Sequence, residues 1–156
     1  MIEGDVNVQR QNNPNELSIL KIYPGTVVKF EEDDQLSIGS DNNSNYRGAL
    51  QADGVTFTRL GEDYYWPGIY FRSYADSDES YIDNCVIEYG NDGVYCAGSH
   101  PTITHSTFRY NDDGVEANSG SEPVLIGNTF IENARPVSLY PFRIDSSLYD
   151  NTYMDN

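Results

Sequence analysis

A single sequence phrase occurs three times in succession, at positions 82–94, 103–115 and 125–137. Corresponding apolar residues of the three copies lie 21 and then 22 positions apart. They form three series: Ile82, Ile103 and Leu125; Ile87, Phe108 and Phe130; Val94, Val115 and Val137. A repeat of this length is typical of a solenoid, because one copy cannot bury its own apolar face and must stack on its neighbours.

Within each copy, apolar residues alternate with polar ones over short runs, and Gly, Asn and Asp separate the runs. This is strand and turn chemistry, without a helical period. A coil of about 20 residues with short strands and polar corners is typical of a parallel β-helix. The strand phrases therefore predict an all-β solenoid of about six coils. We expect residues 1–156 to form one β-helix domain that belongs to a larger protein.

The charge balance excludes some classes of partner. Twenty-five acidic residues against 9 Lys plus Arg give a formal charge of −16. Nucleic acids and anionic membrane surfaces both require cationic side chains, so neither is an expected partner. We find no apolar run of transmembrane length and no signal-peptide pattern at the N-terminus. Cys85 and Cys96 lack CxxC spacing, and we expect buried free thiols, although a disulfide bridge remains an alternative.

Several stretches resemble a known family. They are the Gly-Asp-Val and Pro-Gly-Thr phrases within residues 4–30, the segment Gly48–Phe57, and Trp66-Pro-Gly-Ile-Tyr-Phe71. Together they are similar to right-handed parallel β-helix domains of the pectin-lyase-like superfamily, which occur in many bacterial secreted and surface proteins. The resemblance implies a right-handed winding and an extracellular or cell-surface location. It does not imply an activity, because this scaffold carries unrelated functions.

Alternation along the strands predicts which side chains face the solvent. The expected outward columns are Gln51, Tyr70, Tyr95, Glu116 and Ser138, and beside them Arg72, Ala97, Asn118 and Tyr140. Adjacent coils lie about 4.8 Å apart, so Tyr70 and Tyr95 should be neighbours on an open sheet face. With Trp66 placed at the loop rim, a platform for a sugar ring is predicted. Its candidate residues are Trp66, Tyr70, Arg72, Tyr95, Glu116 and Asn118. A purely structural aromatic ladder is the alternative.

Enzymes of the resembled superfamily hold substrate on this same sheet. The hydrolases use carboxylates clustered across coils, whereas the lyases use Ca²⁺ held by acids together with an Arg or Lys base. Asp92, Asp112 and Asp113 precede Gly93 or Gly114, and we interpret them as tight corners in which Gly supplies a positive φ. No catalytic residue is therefore assigned. For a lyase, Arg72 would be the base and Glu116 a calcium ligand.

A cofactor is not expected, but one loop suits calcium. Asp76, Asp78 and Glu79 place alternating acids in a single loop, the ligand type that Ca²⁺ prefers. They lack the glycine and terminal glutamate of the twelve-residue calcium loop. These three residues are the candidate metal site, and a solvated acidic loop is the alternative.

The combined pattern predicts a non-catalytic extracellular module that binds carbohydrate or a partner protein through its flat outer face. One alternative is a polysaccharide lyase or glycoside hydrolase acting on an acidic, pectin-like polysaccharide. Another is a purely architectural spacer. The phrase at residues 151–156 stops part-way through a coil, so further coils or an end-to-end partner are expected there.

Overall fold

The chain folds into short strands joined by tight corners. The computed structural model describes residues 4–9, 16–118, 120–140 and 148–156. In these ranges there are eighteen strands and no helix. A helix long and apolar enough to cross a membrane is accordingly absent from the described ranges.

The strands follow one another in groups of three, and each group makes one coil. In chain order the coils are β1 (Val6–Val8), β2 (Ser18–Ile22) and β3 (Val27–Phe30); β4 (Gln35–Ile38), β5 (Gly48–Asp53) and β6 (Thr56–Arg59); β7 (Gly68–Phe71), β8 (Tyr81–Asp83) and β9 (Val86–Glu88); β10 (Asp92–Ala97), β11 (Thr102–Thr104) and β12 (Thr107–Arg109); β13 (Asp113–Asn118), β14 (Val124–Ile126) and β15 (Thr129–Ile131); β16 (Arg135–Leu139), β17 (Leu148–Tyr149) and β18 (Thr152–Met154).

Each strand pairs in parallel with the strand that occupies the same place in the next coil. Sheet A has the order β1-β4-β7-β10-β13-β16, sheet B β2-β5-β8-β11-β14-β17, and sheet C β3-β6-β9-β12-β15-β18. The three predicted apolar series are in register within their sheets. The predicted parallel β-helix of about six coils is therefore confirmed.

The inward columns form one continuous core. Ile82, Ile103 and Leu125 are all fully buried. In sheet C the rings of Phe108 and Phe130 stack with centroids 5.1 Å apart. Burying one large apolar side chain contributes about 1.5–3 kcal/mol, so these columns supply the main stabilisation of the coils.

Polar side chains line two corners of the helix and bond the buried backbone there. Asn128 accepts a hydrogen bond from the Ser106 N–H at 2.9 Å and donates from Nδ2 to the Ile103 carbonyl at 2.9 Å. The same pattern joins Asn111, Asn133 and Asn156 at the other corner. The asparagines thus form a ladder at each of these corners. The residue before a ladder asparagine, such as Tyr110 (φ 58°) or Glu132 (φ 50°), has a left-handed backbone that turns the chain.

The corner glycines serve a purpose other than the expected one. Gly93 and Gly114 are not among the residues with positive φ. A Cβ on Gly114 would lie 2.4 Å from the Pro136 carbonyl oxygen and 2.9 Å from Phe130 Cδ1. Glycine is required there because the chain passes too close to its neighbours for any side chain.

The predicted position of Gln51 is wrong. Gln51 lies in sheet B between Lys21 and Tyr81, and its neighbours Leu50 and Ala52 face the core of that sheet. Ser37 occupies the position next to Tyr70 in sheet A. Loops lengthen the early coils, so partners in this column are 33, 25 and then 21 positions apart, and the later period does not extend backwards.

We predict that Asn128→Ala lowers the free energy of unfolding by about 2–4 kcal/mol, because it leaves a buried N–H and a buried carbonyl without partners. Urea denaturation with an unchanged m-value measures the loss. Asn91→Ala, at an exposed asparagine outside the ladders, is the control and should change stability by less than about 0.5 kcal/mol. An equally small loss for Asn128→Ala would show that the ladder does not stabilise the corner.

Candidate functional site

The outer face of sheet A carries a column of polar and aromatic side chains. Its members in successive coils are Ser37, Tyr70, Tyr95, Glu116 and Ser138. The rings of Tyr70 and Tyr95 are 5.0 Å apart at an interplanar angle of 35°, which confirms that the two are neighbours. Because the two rings pack against each other, each has less free ring face for a ligand than the sequence suggested.

Hydrogen bonds fix both tyrosines. The Tyr70 hydroxyl donates to Asp92 Oδ2 at 3.0 Å, and Asn118 Nδ2 donates to the Tyr95 hydroxyl. Burial raises the pKa of Tyr70, and the negative charge of Asp92 raises it further. Tyr70 is therefore a neutral donor throughout the physiological range.

Arg72 lies beside this pair, as the sequence predicted. Its guanidinium carbon is 4.9 Å from the centre of the Tyr70 ring, within the range of a cation–π contact. Nη1 donates to Asp41 Oδ2 at 3.2 Å, and Asp41 also accepts from the Ser73 N–H at 3.1 Å. The loop that contains Asp41 thus holds Arg72 against the sheet face.

Three carboxyl groups converge next to the tyrosines. One oxygen each of Asp92, Asp113 and Glu116 lies within 4.8 Å of the others. Asp113 is only 2% exposed. It accepts from Arg135 Nη2 at 2.5 Å and from Ser138 Oγ at 2.6 Å, so its charge is neutralised locally.

Sequence reasoning missed this cluster because it assigned Asp92 and Asp113 to turns. Both residues begin strands, β10 and β13, and they are register partners in sheet A. The 21-residue repeat contained the signal, since it places Asp92 opposite Asp113 and Tyr95 opposite Glu116.

Asp92 has an unusual protonation equilibrium. Burial raises its pKa from 3.8 to about 6, and the charges of Glu116 and Asp113 act in the same direction, while the Tyr70 hydroxyl opposes them. A hydrogen bond between the carboxyl groups of Asp92 and Glu116 adds to the rise. Two carboxyl groups can bond to each other only if they hold a proton. The site can therefore accept or donate a proton near pH 6.

The cluster suits a proton better than a calcium ion. Ca²⁺ takes six to eight oxygen ligands, and Arg135 already occupies Asp113. The acidic loop predicted to bind calcium does not have the arrangement of a calcium site. Asp76 is buried and pairs with Arg47, and the carboxyl groups of Asp76, Asp78 and Glu79 do not form a metal-binding group among the described residues.

The predicted placement of Trp66 at the loop rim is wrong. Trp66 is fully buried, its ring stacks on Phe30 with centroids 4.2 Å apart, and its Nε1–H donates to the Glu88 carbonyl at 2.9 Å. A large ring whose single donor finds a partner is most stable inside the coil. Trp66 therefore does not belong to the outer face.

The two cysteines are free and buried, as expected. Burial raises the pKa of Cys85 to about 11 and also raises the pKa of Cys96. Thiols that stay protonated and buried react slowly with oxidants.

We predict that Asp92→Asn makes stability less dependent on pH. The folded wild-type protein binds more protons at Asp92 than the unfolded chain does between about pH 4 and pH 6, so its free energy of unfolding falls as pH rises through that window. The asparagine side chain does not titrate, so the variant does not lose stability over this pH window. Allowing for partial exposure, the variant should exceed the wild type by about 1–2 kcal/mol above pH 7 and match it near pH 4.

Urea denaturation at several pH values measures this difference. Asp63→Asn, at an exposed carboxylate, is the control and should show no pH-dependent gain. If Asp92→Asn is less stable than the wild type at pH 8, the ionised carboxylate of Asp92 does not destabilise the folded protein.

Comparison with known proteins agrees with this architecture. The family described as "Right handed beta helix region" matches residues 37–156, which is more than three quarters of the chain. No curated protein and no solved structure matches significantly. The matched region includes the carboxyl cluster and both tyrosines of sheet A. The chain belongs to the right-handed β-helix family.

Proposed function

We propose that this protein is a non-catalytic module that binds carbohydrate on the outer face of sheet A. One observation carries the proposal: successive coils place Tyr70, Tyr95, Asp92, Glu116 and Asn118 side by side, and hydrogen bonds hold the tyrosine hydroxyls in place. Sugars present many hydroxyl groups in fixed directions. A flat surface with fixed donors and acceptors binds them with little loss of side-chain entropy.

The chemistry of the face favours a neutral saccharide. The carboxyl groups of Glu116 and Asp92 accept hydrogen bonds from sugar hydroxyls, and Arg72 and Asn118 can donate them. A polyuronate would meet both this acidic cluster and a chain of formal charge −16. Like charges repel over a Debye length of about 8 Å at physiological salt, so acidic polysaccharides are disfavoured.

An extracellular or cell-surface location is part of the proposal. Its support is the resemblance to secreted β-helix domains, and the state of the two cysteines is compatible with it. Cys85 and Cys96 are buried, and the raised pKa of each keeps the thiol protonated. Free thiols of this kind tolerate an oxidising compartment.

We predict that Tyr70→Ala combined with Tyr95→Ala weakens binding of neutral oligosaccharides by at least about tenfold, because the ordered hydroxyls and ring edges are lost. Calorimetric titration with cello-, xylo- and manno-oligosaccharides measures the affinity, with oligogalacturonate as the charged comparison. Tyr81→Ala, at an exposed tyrosine that begins a strand of sheet B, is the control and should bind like the wild type.

Two results would contradict the proposal. One is the absence of binding to all of these saccharides, which would favour an architectural spacer or a protein partner. The other is an equal loss of affinity in the Tyr81→Ala control, which would place the binding surface elsewhere.

A second candidate function is hydrolysis of a glycosidic bond, and the carboxyl cluster favours it. In glycoside hydrolases one protonated and one ionised carboxyl group cooperate. Asp92, with its pKa of about 6, suits the general acid, and Glu116 suits the base or nucleophile. The open face weighs against this activity, because water is not excluded from a flat sheet. A lyase would use Arg72 as its base, but Arg72 forms an ion pair with Asp41.

If the cluster is catalytic, Asp92→Asn and Glu116→Gln should each reduce turnover by at least about 100-fold. Product analysis of the same oligosaccharides separates hydrolysis from elimination. Asp112→Asn, at an exposed aspartate outside the cluster, should retain the wild-type rate. No product from the wild type, or equal rates in all three variants, would exclude catalysis at this cluster.

A further inference from the structure

A loop of the second coil lies beside the arginine of the sheet A face. This loop, residues 39–47, joins β4 to β5 and contacts the residues that follow β7. The Arg72 N–H donates to the Ile38 carbonyl at 2.9 Å. The Tyr74 N–H donates to the Ser40 carbonyl, also at 2.9 Å. These backbone bonds fix the start of the loop relative to the outer face of sheet A.

Asp41 is the residue of this loop that contacts Arg72. Its Oδ1 accepts hydrogen bonds from the Ser73 N–H at 3.1 Å and from the Ser73 hydroxyl at 3.3 Å. Its Oδ2 accepts from Arg72 Nη1 at 3.2 Å. An isolated surface ion pair contributes little to stability, partly because holding two long side chains in one geometry costs entropy. Here Ser73 fixes the carboxylate of Asp41, which therefore keeps its place beside the guanidinium.

Arg72 is held on a second side and keeps most of its hydrogen-bonding capacity. Its guanidinium carbon lies 4.9 Å from the centre of the Tyr70 ring. A guanidinium group has five N–H donors. Within the ranges that the structure describes, Asp41 is the only side chain that accepts a hydrogen bond from Arg72. The Arg72 side chain is 26% exposed, so it is accessible to a ligand on this face.

A guanidinium group held in this way is suited to binding a carboxylate. It can donate two parallel hydrogen bonds to the two oxygens of one carboxylate. Asp41 accepts only one bond from Arg72, because Ser73 occupies its other oxygen. The charge of Arg72 is thus paired while most of its donors are not, and the carboxylate of an acidic sugar would compete with Asp41 for them.

Asp41 has the advantage in that competition. It belongs to the same chain, and a tethered group acts at an effective concentration of about 1 mM or more. Its negative charge also repels a second carboxylate, and this repulsion grows as the distance between the charges falls. Among the described residues the carboxyl cluster forms no ion pair with Arg72, so Asp41 is the acid in direct contact with it.

We propose that Asp41 is a specificity-determining residue, whose carboxylate occupies the place of a ligand carboxylate at Arg72 and thereby restricts the sheet A face to neutral saccharides. The proposal rests on the function proposed above, because it concerns the choice of ligand at the same face. Without the charge of Asp41, Arg72 is free to bind the carboxylate of a uronic acid. One loop residue therefore decides between the neutral and the acidic form of a sugar chain.

Asp41→Asn tests this inference with little change of shape. The amide keeps an oxygen that can accept from the Ser73 N–H, and the substitution removes the charge beside Arg72. The ligands are cello- and manno-oligosaccharides and the same chains oxidised at their primary hydroxyl groups to carboxylates. Calorimetric titration measures the affinity for each form. We expect the ratio of acidic to neutral affinity to rise at least about tenfold over that of the wild type.

Two further variants show whether the effect depends on Arg72. Asp63→Asn removes the same charge from an exposed carboxylate in another loop and should keep the wild-type ratio. Arg72→Gln in the Asp41→Asn background removes the guanidinium and should abolish the gain. The ratio separates a change of specificity from structural damage, because damage to the face weakens binding of both forms. Circular dichroism checks the fold of every variant.

The outcomes separate this inference from the proposed function. If the wild type binds the neutral chains and Asp41→Asn keeps the wild-type ratio, the inference is wrong and the proposed function stands. An equal gain in Asp63→Asn, or a gain that survives Arg72→Gln, also overturns the inference. If the wild type binds no neutral chain, the proposed function is wrong. A gain in acidic binding by Asp41→Asn would then still support the masked site at Arg72, and no gain would overturn it too.

Discussion

Every part of this structure depends on the return of the chain to the same place after each coil. Backbone hydrogen bonds between successive coils require parallel strands in register, and the corners must turn without leaving buried amide groups unpaired. Asn128 and Asn133 meet that requirement, since each bonds backbone of the preceding coil through both side-chain groups. A buried amide without such a partner costs about 1–3 kcal/mol, so the polar corners are as necessary as the apolar columns.

The same translation that stacks apolar residues also stacks charges. Asp92, Asp113 and Arg135 begin corresponding strands, and like charges at such positions destabilise a sheet. The protein relieves the repulsion in two ways. Arg135 neutralises Asp113, and Asp92 holds a proton up to about pH 6. Chemistry at the site is thus a direct consequence of the coil geometry.

The repeat made the second half of the fold predictable and left the first half less so. Where coils are 21 or 22 residues long, the sequence correctly predicted the columns of Val94, Val115 and Val137. It also predicted the contact of Tyr70 with Tyr95, although these two residues are 25 positions apart. Gln51 was misplaced because loops of unequal length change the spacing of the early coils. A single sequence does not show how many residues of an early coil lie in a projecting loop, and those residues do not count towards the spacing of its strands.

The candidate site was only partly predictable for a different reason. Asp before Gly is typical of a tight turn, and the same pair also begins strands β10 and β13. Composition does not distinguish the two cases. The distinction depends on Gly114, whose missing side chain lets the chain pass against Pro136 and Phe130. Trp66 was misplaced because aromatic residues near a loop suit a rim and a core equally well until the inward direction is known.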